Sequence, residues 1–304
     1  MSPDHRHHTA NYNRAFAVGV LLNIVFVAIE TGYGVVAGSL ALIADAGHNL
    51  SDVLSLLLAW GASWLATKSA TEKRTYGFRK TTIMASLTNA VVLLVALGGI
   101  TWEGIGRLFE PKPVEAVTVI VVAAIGVAVN AITAWLFISG QKEDLNIRGA
   151  YLHMAADAGV SLGVVVAGVI VMLTGWQIID PLISIFIAAI ILVGTWSLLR
   201  DSINLAIDSV PEDVDIAGVK AYLTGLENVY RIHDLHVWAM STTEVALTVH
   251  LVTDAFLGNN FLSKIQQHLH DHFGIGHSTI QIETQNDGSC MLNKGICKKG
   301  YQGS

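Results

Sequence analysis

Apolar residues run through the first two thirds of the chain in six long stretches, near 15–37, 41–66, 81–104, 115–138, 150–174 and 178–199. Each reaches the roughly 20 residues that an α-helix needs to cross the hydrocarbon core of a bilayer, so the pattern predicts an α-helical bundle of six transmembrane helices. The text between them, "VVAGSLA", "TKSATEKRTYGFRK", "FEPKPVE", "SGQKEDLNIRG" and "LTGWQIIDP", supplies the glycines, prolines and charges that interrupt such helices.

Beyond Pro211 the pattern changes. "EDVDIAGVKAYLTGLENV" has helical apolar spacing, "YRIHDLHVWAM" and "TEVALTVHLVT" alternate as in a hairpin, "NNFLSKIQQHLHDHF" returns to helical spacing, and "HSTIQIET" alternates again. Helix, strand, strand, helix, strand predicts a small α+β sandwich. The expected domains are a His-containing tail over 1–14, the six-helix domain over 15–205, the α+β domain over 209–285, and a flexible tail with two cysteines over 286–304.

Loop charge orients the bundle. Lys68, Lys73, Arg74, Arg79 and Lys80 follow the second helix, Lys142 and Arg148 the fourth, and the opposite loops hold only Arg107 and Lys112. The positive-inside rule then puts both termini and the α+β domain in the cytoplasm. Met1 to Arg14 is polar and lacks the apolar core of a signal peptide, so the first helix is expected to act as its own signal. Short loops and the lack of an organelle signal favour a bacterial inner membrane.

Of the 304 residues 52% are hydrophobic and 14% charged, a membrane composition whose helices face lipid, and a net charge of −6 leaves no footprint for nucleic acid. Cys290 and Cys297 lie on the reducing side, where no structural disulfide is expected.

Ionisable residues inside the apolar runs carry the chemistry. His48 and Asp52 in "ADAGHNLSD", and His153 and Asp157 in "HMAADAGVS", each stand at i and i+4, on one helix face. Charges at membrane depth cost at least a few kcal/mol and mark function. Together the two pairs offer two nitrogens and two carboxylate oxygens, a tetrahedral set suited to Zn²⁺. Two carboxylates also neutralise a dication, whereas the empty site leaves two anions in low dielectric and draws protons. Exchange of metal for protons follows. The competing reading keeps each histidine hydrogen-bonded to its own i+4 carboxylate as a packing device.

Asp45 has three readings, as a partner of the His48 imidazole, a residue at the mouth of the site, or a helix cap. Glu30 is divided between interhelical hydrogen bonding and contact with the ion pathway, and interhelical bonding is the reading for Asn23, Asn89 and Asn130. The run His268, His270, His272 reads as a solvated helix face.

The phrases "ETGYGVVAGSLALIADAGHNLSD", "RTYGFRKTTIMASLTNA", "HMAADAGVS" and "IHDLHVWAM" resemble the cation diffusion facilitator family, in its two-His, two-Asp zinc branch, and the resemblance covers about residues 15–285. It implies a proton-coupled exporter of Zn²⁺ and sometimes other divalent metals, usually a homodimer, with a cytoplasmic ferredoxin-like domain. The family's transport site falls on His48, Asp52, His153 and Asp157. Members with Asp at the first position admit Cd²⁺ more readily, and this chain has His48. The resemblance also implies a regulatory zinc site on His233, His250 and Glu283, and a charge pair between Lys80 and Asp208 that ties the membrane halves to the cytoplasmic domain. Some members cap a cytoplasmic zinc site with an amino-terminal His or Cys motif and tail cysteines, a role for which His5, His7, His8, Cys290 and Cys297 are candidates, with disordered ends as the alternative; His277 is a further accessory candidate among the histidines of the α+β domain. The histidines that other members carry between helices two and three, and the long His-rich loop between four and five, are missing.

Other classes fare worse. An intramembrane metal hydrolase would need a His-Glu-x-x-His or a nucleophile paired with a histidine, and the chain has neither, so no enzyme activity is expected. A membrane-bound metal sensor and a passive divalent-metal channel remain as alternatives to an antiporter.

Overall fold

The computed structural model describes residues 12–138, 145–254 and 259–284. Six long helices come first: α1 (Tyr12–Ala37), α2 (Leu40–Ala66), α3 (Thr81–Phe109), α4 (Ala116–Phe137), α5 (Leu145–Thr174) and α6 (Ile179–Ala206). Four segments, Thr81–Phe109, Ala116–Trp135, Tyr151–Thr174 and Ile179–Ala206, are each long and apolar enough to cross a membrane. The helices overrun the apolar runs. α3 continues to Phe109 because Glu103 and Arg107 pair at 3.0 Å one turn apart and sustain its polar end. α6 carries on through "LRDSINLA" and stops just before Asp208, whose φ of 63° cannot continue a right-handed helix.

The described residues gather into two compact units, one drawn from the residues up to Leu58 and from Thr88–Leu198, the other from Ala59–Leu87 and the residues after Leu198. In the first, Phe26, Leu42, Val122, Ala123, Val164 and Ile187 form the centre of the apolar core. Glycine permits the closest helix approaches. A Cβ on Gly126 of α4 would sit 2.7 Å from the Phe26 ring of α1, and one on Gly168 of α5 would sit 2.8 Å from Ile120 of α4.

The start of α2 is fixed from another helix. Asp180 of α6 accepts the backbone N–H of Leu40 at 2.7 Å and of Ala41 at 3.3 Å, together with the Ser39 hydroxyl. Ser39 Oγ accepts the N–H of Leu42 at 3.2 Å, and Arg107 donates to the carbonyl of Gly38. The N–H groups that any helix leaves unpaired at its start are thus satisfied where water is scarce.

In the second unit α7 (Ile216–Thr224) is capped by Asp215, which accepts the N–H of Gly218 at 2.9 Å. β1 (Val229–Ala239) and β2 (Val245–Thr253) pair antiparallel, α8 (Asn259–Phe273) crosses over, and β3 (Ile275–Thr284) pairs parallel to β2, giving the sheet order β1-β2-β3. This is the helix and strand order that the sequence predicts. Val219 and Leu223 of α7 and Ile265 and Leu269 of α8 share a core with Val237, Leu247, Val249 and Leu251, so both helices cover one face of the sheet. His250, on the alternate register, belongs to the other face.

Candidate metal centre

α2 and α5 bring His48, Asp52, His153 and Asp157 into one cluster. Nε2 of His48 lies 3.2 Å from Asp157 Oδ1 and 3.9 Å from Asp52 Oδ2, and Nε2 of His153 lies 3.2 Å from Asp52 Oδ2 and 3.6 Å from Asp157 Oδ2. Each imidazole is therefore nearer to the carboxylate of the other helix than to its own i+4 partner. The two rings meet edge-on with centroids 6.1 Å apart. Donor atoms of His48, Asp52 and Asp157 fall within 4.8 Å of one another, with His153 closing the set against both carboxylates. Oδ2 of Asp52 and Oδ2 of Asp157 are buried atoms without a well-aligned hydrogen bond, leaving lone pairs turned into the cluster.

Access is graded across the site. Asp157 is 2% exposed and His153 is 42% exposed, so the cluster has a sealed wall and an open one. A cavity of about 260 Å³ adjoins it, lined among others by His48, Ser51, Asp52, Asn89 and Thr195.

Glu30 and Asp45 are fully buried in the same unit. Asp45 accepts a hydrogen bond from Ser161 at 2.7 Å through Oδ2, while its Oδ1 has no partner, so it is not hydrogen-bonded to His48. Glu30 accepts from Asn49 at 3.4 Å. Asn23 reaches Met154 Sδ of α5 at 3.7 Å. Asn130 departs from the interhelical bonding expected of it, because its side-chain oxygen and nitrogen are buried with no partner.

A second cluster lies on the open face of the sheet. Register places His233 opposite His250, and Glu283 beside Val252 on β3. Glu283 bridges both rings, 3.0 Å from His233 Nε2 and 2.7 Å from His250 Nδ1. Burial alone raises the Glu283 carboxyl, but the hydrogen bonds and charge of the two imidazoles prevail and hold it below the usual glutamate range. The donor atoms of all three lie within 4.8 Å.

Sequence reasoning misses Asp234 here. Strict alternation would turn it away from the His233 face, yet a register shift between His233 and His236 and a φ of 52° bring its Oδ2 within 3.6 Å of His250 Nε2. Only the tolerance of aspartate for positive φ hints at this in the text.

The remaining candidates spread out. His277 stands edge-on to Tyr76 at 5.8 Å, outside the three-residue group. His268 stacks on Tyr222 at 3.9 Å and on His272 at 4.0 Å, and His270 pairs with Asp271 at 2.9 Å. Lys80 and Asp208 form an ion pair at 2.6 Å, with side chains 48% and 55% exposed. His5, His7, His8, Cys290 and Cys297 lie outside the described residues.

Comparison with known proteins identifies the family. A family model described as the cation efflux transmembrane domain matches residues 16–205, and one described as the cation efflux protein cytoplasmic domain matches residues 211–285. The chain belongs to the cation efflux, or cation diffusion facilitator, family. It is therefore a membrane transporter of metal cations and not an enzyme. Its cation efflux relatives include the zinc transporter ZitB of Escherichia coli, 36% identical with 92% of this chain and 90% of that protein covered. The metal cation efflux system protein CzcD of Cupriavidus metallidurans is 36% identical over 93% of this chain and 90% of its own. The cadmium, cobalt and zinc/H(+)-K(+) antiporter of Bacillus subtilis is 35% identical, with 92% of each chain covered. Among solved structures, the metal-bound C-terminal domain of the CzcD transporter matches 23% of this chain and 99% of its own at 39% identity and a TM-score of 0.22.

Proposed function

We propose that this cation efflux protein exports Zn²⁺ from the cytoplasm in exchange for protons. The observation that carries the reading is the crossed pairing of His48 with Asp157 and of His153 with Asp52, which presents two imidazoles and two carboxylates from two helices to one point. That donor set suits a tetrahedral ion of borderline softness. With Zn²⁺ bound, the two carboxylates cancel its charge; without it, protons restore neutrality, and imidazoles with an ordinary pKa of about 6.5 are suited to take them up. The names of the relatives, a zinc transporter and an antiporter of divalent metals against protons and potassium, support the same exchange.

In this reading α1 to α6 all span the membrane, of the bacterial inner type, with both termini cytoplasmic, which the Lys and Arg excess in the loops after the second and fourth helices supports. The α+β domain over 209–285 is the ferredoxin-like module and pairs two copies into a homodimer. His233, His250 and Glu283 hold a regulatory zinc there, with Asp234 beside them.

Proteoliposomes separate this account from its rivals. With an acidic lumen and a zinc-sensitive dye inside, an antiporter takes up Zn²⁺ faster as the pH difference grows. A passive channel shows uptake that ignores the pH difference, and a sensor shows binding without uptake.

A further inference from the structure

A second polar cluster lies between α1, α2 and α5, and the transport site does not use it. Glu30 and Asp45 are both fully buried. Glu30 Oε2 accepts from Asn49 Nδ2 at 3.4 Å, and Asp45 Oδ2 accepts from the Ser161 hydroxyl at 2.7 Å. Asn49 stands one turn beyond Asp45 on α2, so the Glu30–Asn49 bond sets the two carboxyls on the same side of α2. The other oxygen of each, Glu30 Oε1 and Asp45 Oδ1, is buried with no partner. Among the described residues neither carboxyl takes part in an ion pair. The charges that reach Asp45 are those of His48 and Asp157, and α4, packed on α1, contributes no titratable side chain.

Two acids facing each other in a dry interior cannot both stay ionised without a cation between them. Their two unpartnered oxygens are hard acceptors, and protonation of one carboxyl removes the second charge. From this geometry we infer that Glu30 and Asp45 share a proton and form a second, proton-binding site that is emptied when metal occupies the four-residue site. The inference rests on the antiport reading above and adds to it a place for a counter-ion outside the metal ligands.

Position supplies the coupling. Asp45 precedes His48 by three residues on α2, and Ser161 follows Asp157 by four on α5, so the Asp45–Ser161 bond joins the same two helices one turn away from the His48–Asp157 contact. A dication held at that contact raises the potential at Asp45. The shared carboxylic acid then ionises, its O–H bond breaks, both oxygens keep their electrons as carboxylate, and the proton passes to water. When the metal leaves, the pair takes a proton back.

The test uses the full-length protein in lipid nanodiscs, titrated with ZnCl₂ in a calorimeter in buffers of different ionisation heat, which counts protons released per zinc. Glu30→Gln keeps an acceptor for Asn49 but cannot ionise. The wild type is expected to release about one proton more per zinc than Glu30→Gln, with the same number of zinc ions bound per chain in both. Infrared difference spectra of the wild type are expected to lose a protonated-carboxyl band on zinc addition, a band missing from Glu30→Gln, and the wild-type spectrum alone decides the matter should that variant not fold. Equal proton counts in the two proteins, no such band in the wild type, or the loss of one bound zinc in Glu30→Gln each overturn the inference. Absence of any proton release in the wild type overturns the antiport reading along with it, whereas equal release leaves that reading standing.

Discussion

Nε2 of His48 on α2 lies 3.2 Å from Oδ1 of Asp157 on α5, closer than the 3.9 Å that separates it from Asp52 in its own helix. The i,i+4 spacing places each pair on one face, but the contacts that form are across the helices. A packing hydrogen bond within one helix would give the reverse order. The proposed metal site therefore depends on the relative placement of α2 and α5, and anything that shifts one against the other disturbs the candidate ligand set.

The Asp180 cap is one such control. Replacing Asp180 with Ala strips the acceptor from the N–H groups of Leu40 and Ala41 and from Ser39. A loss of about 1–2 kcal/mol in stability is expected, together with weaker zinc binding because α2 carries His48 and Asp52. Thermal unfolding in detergent and zinc titration of the same sample check both.

Gly126 tests the helix approach. The methyl group of Gly126→Ala would meet the Phe26 ring at 2.7 Å, costing about 1–3 kcal/mol through overpacking. Phe26→Leu combined with Gly126→Ala should recover much of that loss. Non-additive melting temperatures in the double-mutant cycle are the expected result.

The tail cluster is expected to respond to pH. Protons compete with a metal ion for the His233 and His250 nitrogens, so metal added there should bind more weakly as the medium is acidified. Glu283 is held below the usual glutamate range, so its contribution to stability is complete at neutral pH. That contribution disappears only as the pH drops through the lowered folded value. Unfolding of the metal-free protein followed against pH should therefore show Glu283→Gln and wild type differing at neutral pH and converging in acid.

Lys80 and Asp208 present a different case. Both side chains are about half exposed, and such pairs contribute roughly 0–1 kcal/mol. Asp208→Asn also suits the positive φ of that position, so stability should change by less than about 1 kcal/mol. A much larger loss, in a sample whose dimer also dissociates, would show that a partner chain buries the pair.

How much of this is legible in the text depends on the kind of signal. The six long helices are visible because each contains a long apolar run, yet their ends are not. α3 and α6 continue past the apolar residues, since an amphiphilic end such as "LRDSINLA" remains helical once it leaves hydrocarbon. Period identifies His48, Asp52, His153 and Asp157, but not which imidazole faces which carboxylate, because that is set by helix rotation. In the sheet, alternation gives His233 and His250 their faces, and the shift beside Asp234 breaks the rule at a single residue. The Glu30 and Asp45 contacts are hidden for a similar reason. They depend on Ser161 and Asn49, whose small polar side chains carry no signal of their own.

The central claim is that Zn²⁺ and protons exchange through the cluster built on Asp157, and one measurement addresses it most directly. Proteoliposomes with a pH-sensitive dye and an acidic lumen receive external Zn²⁺, with wild type compared against Asp157→Asn, whose side chain keeps its size. The account predicts zinc-driven alkalinisation of the lumen for the wild type and a loss of at least about 100-fold in the variant, with an unchanged melting profile. Zinc-driven proton movement that persists in Asp157→Asn would contradict it.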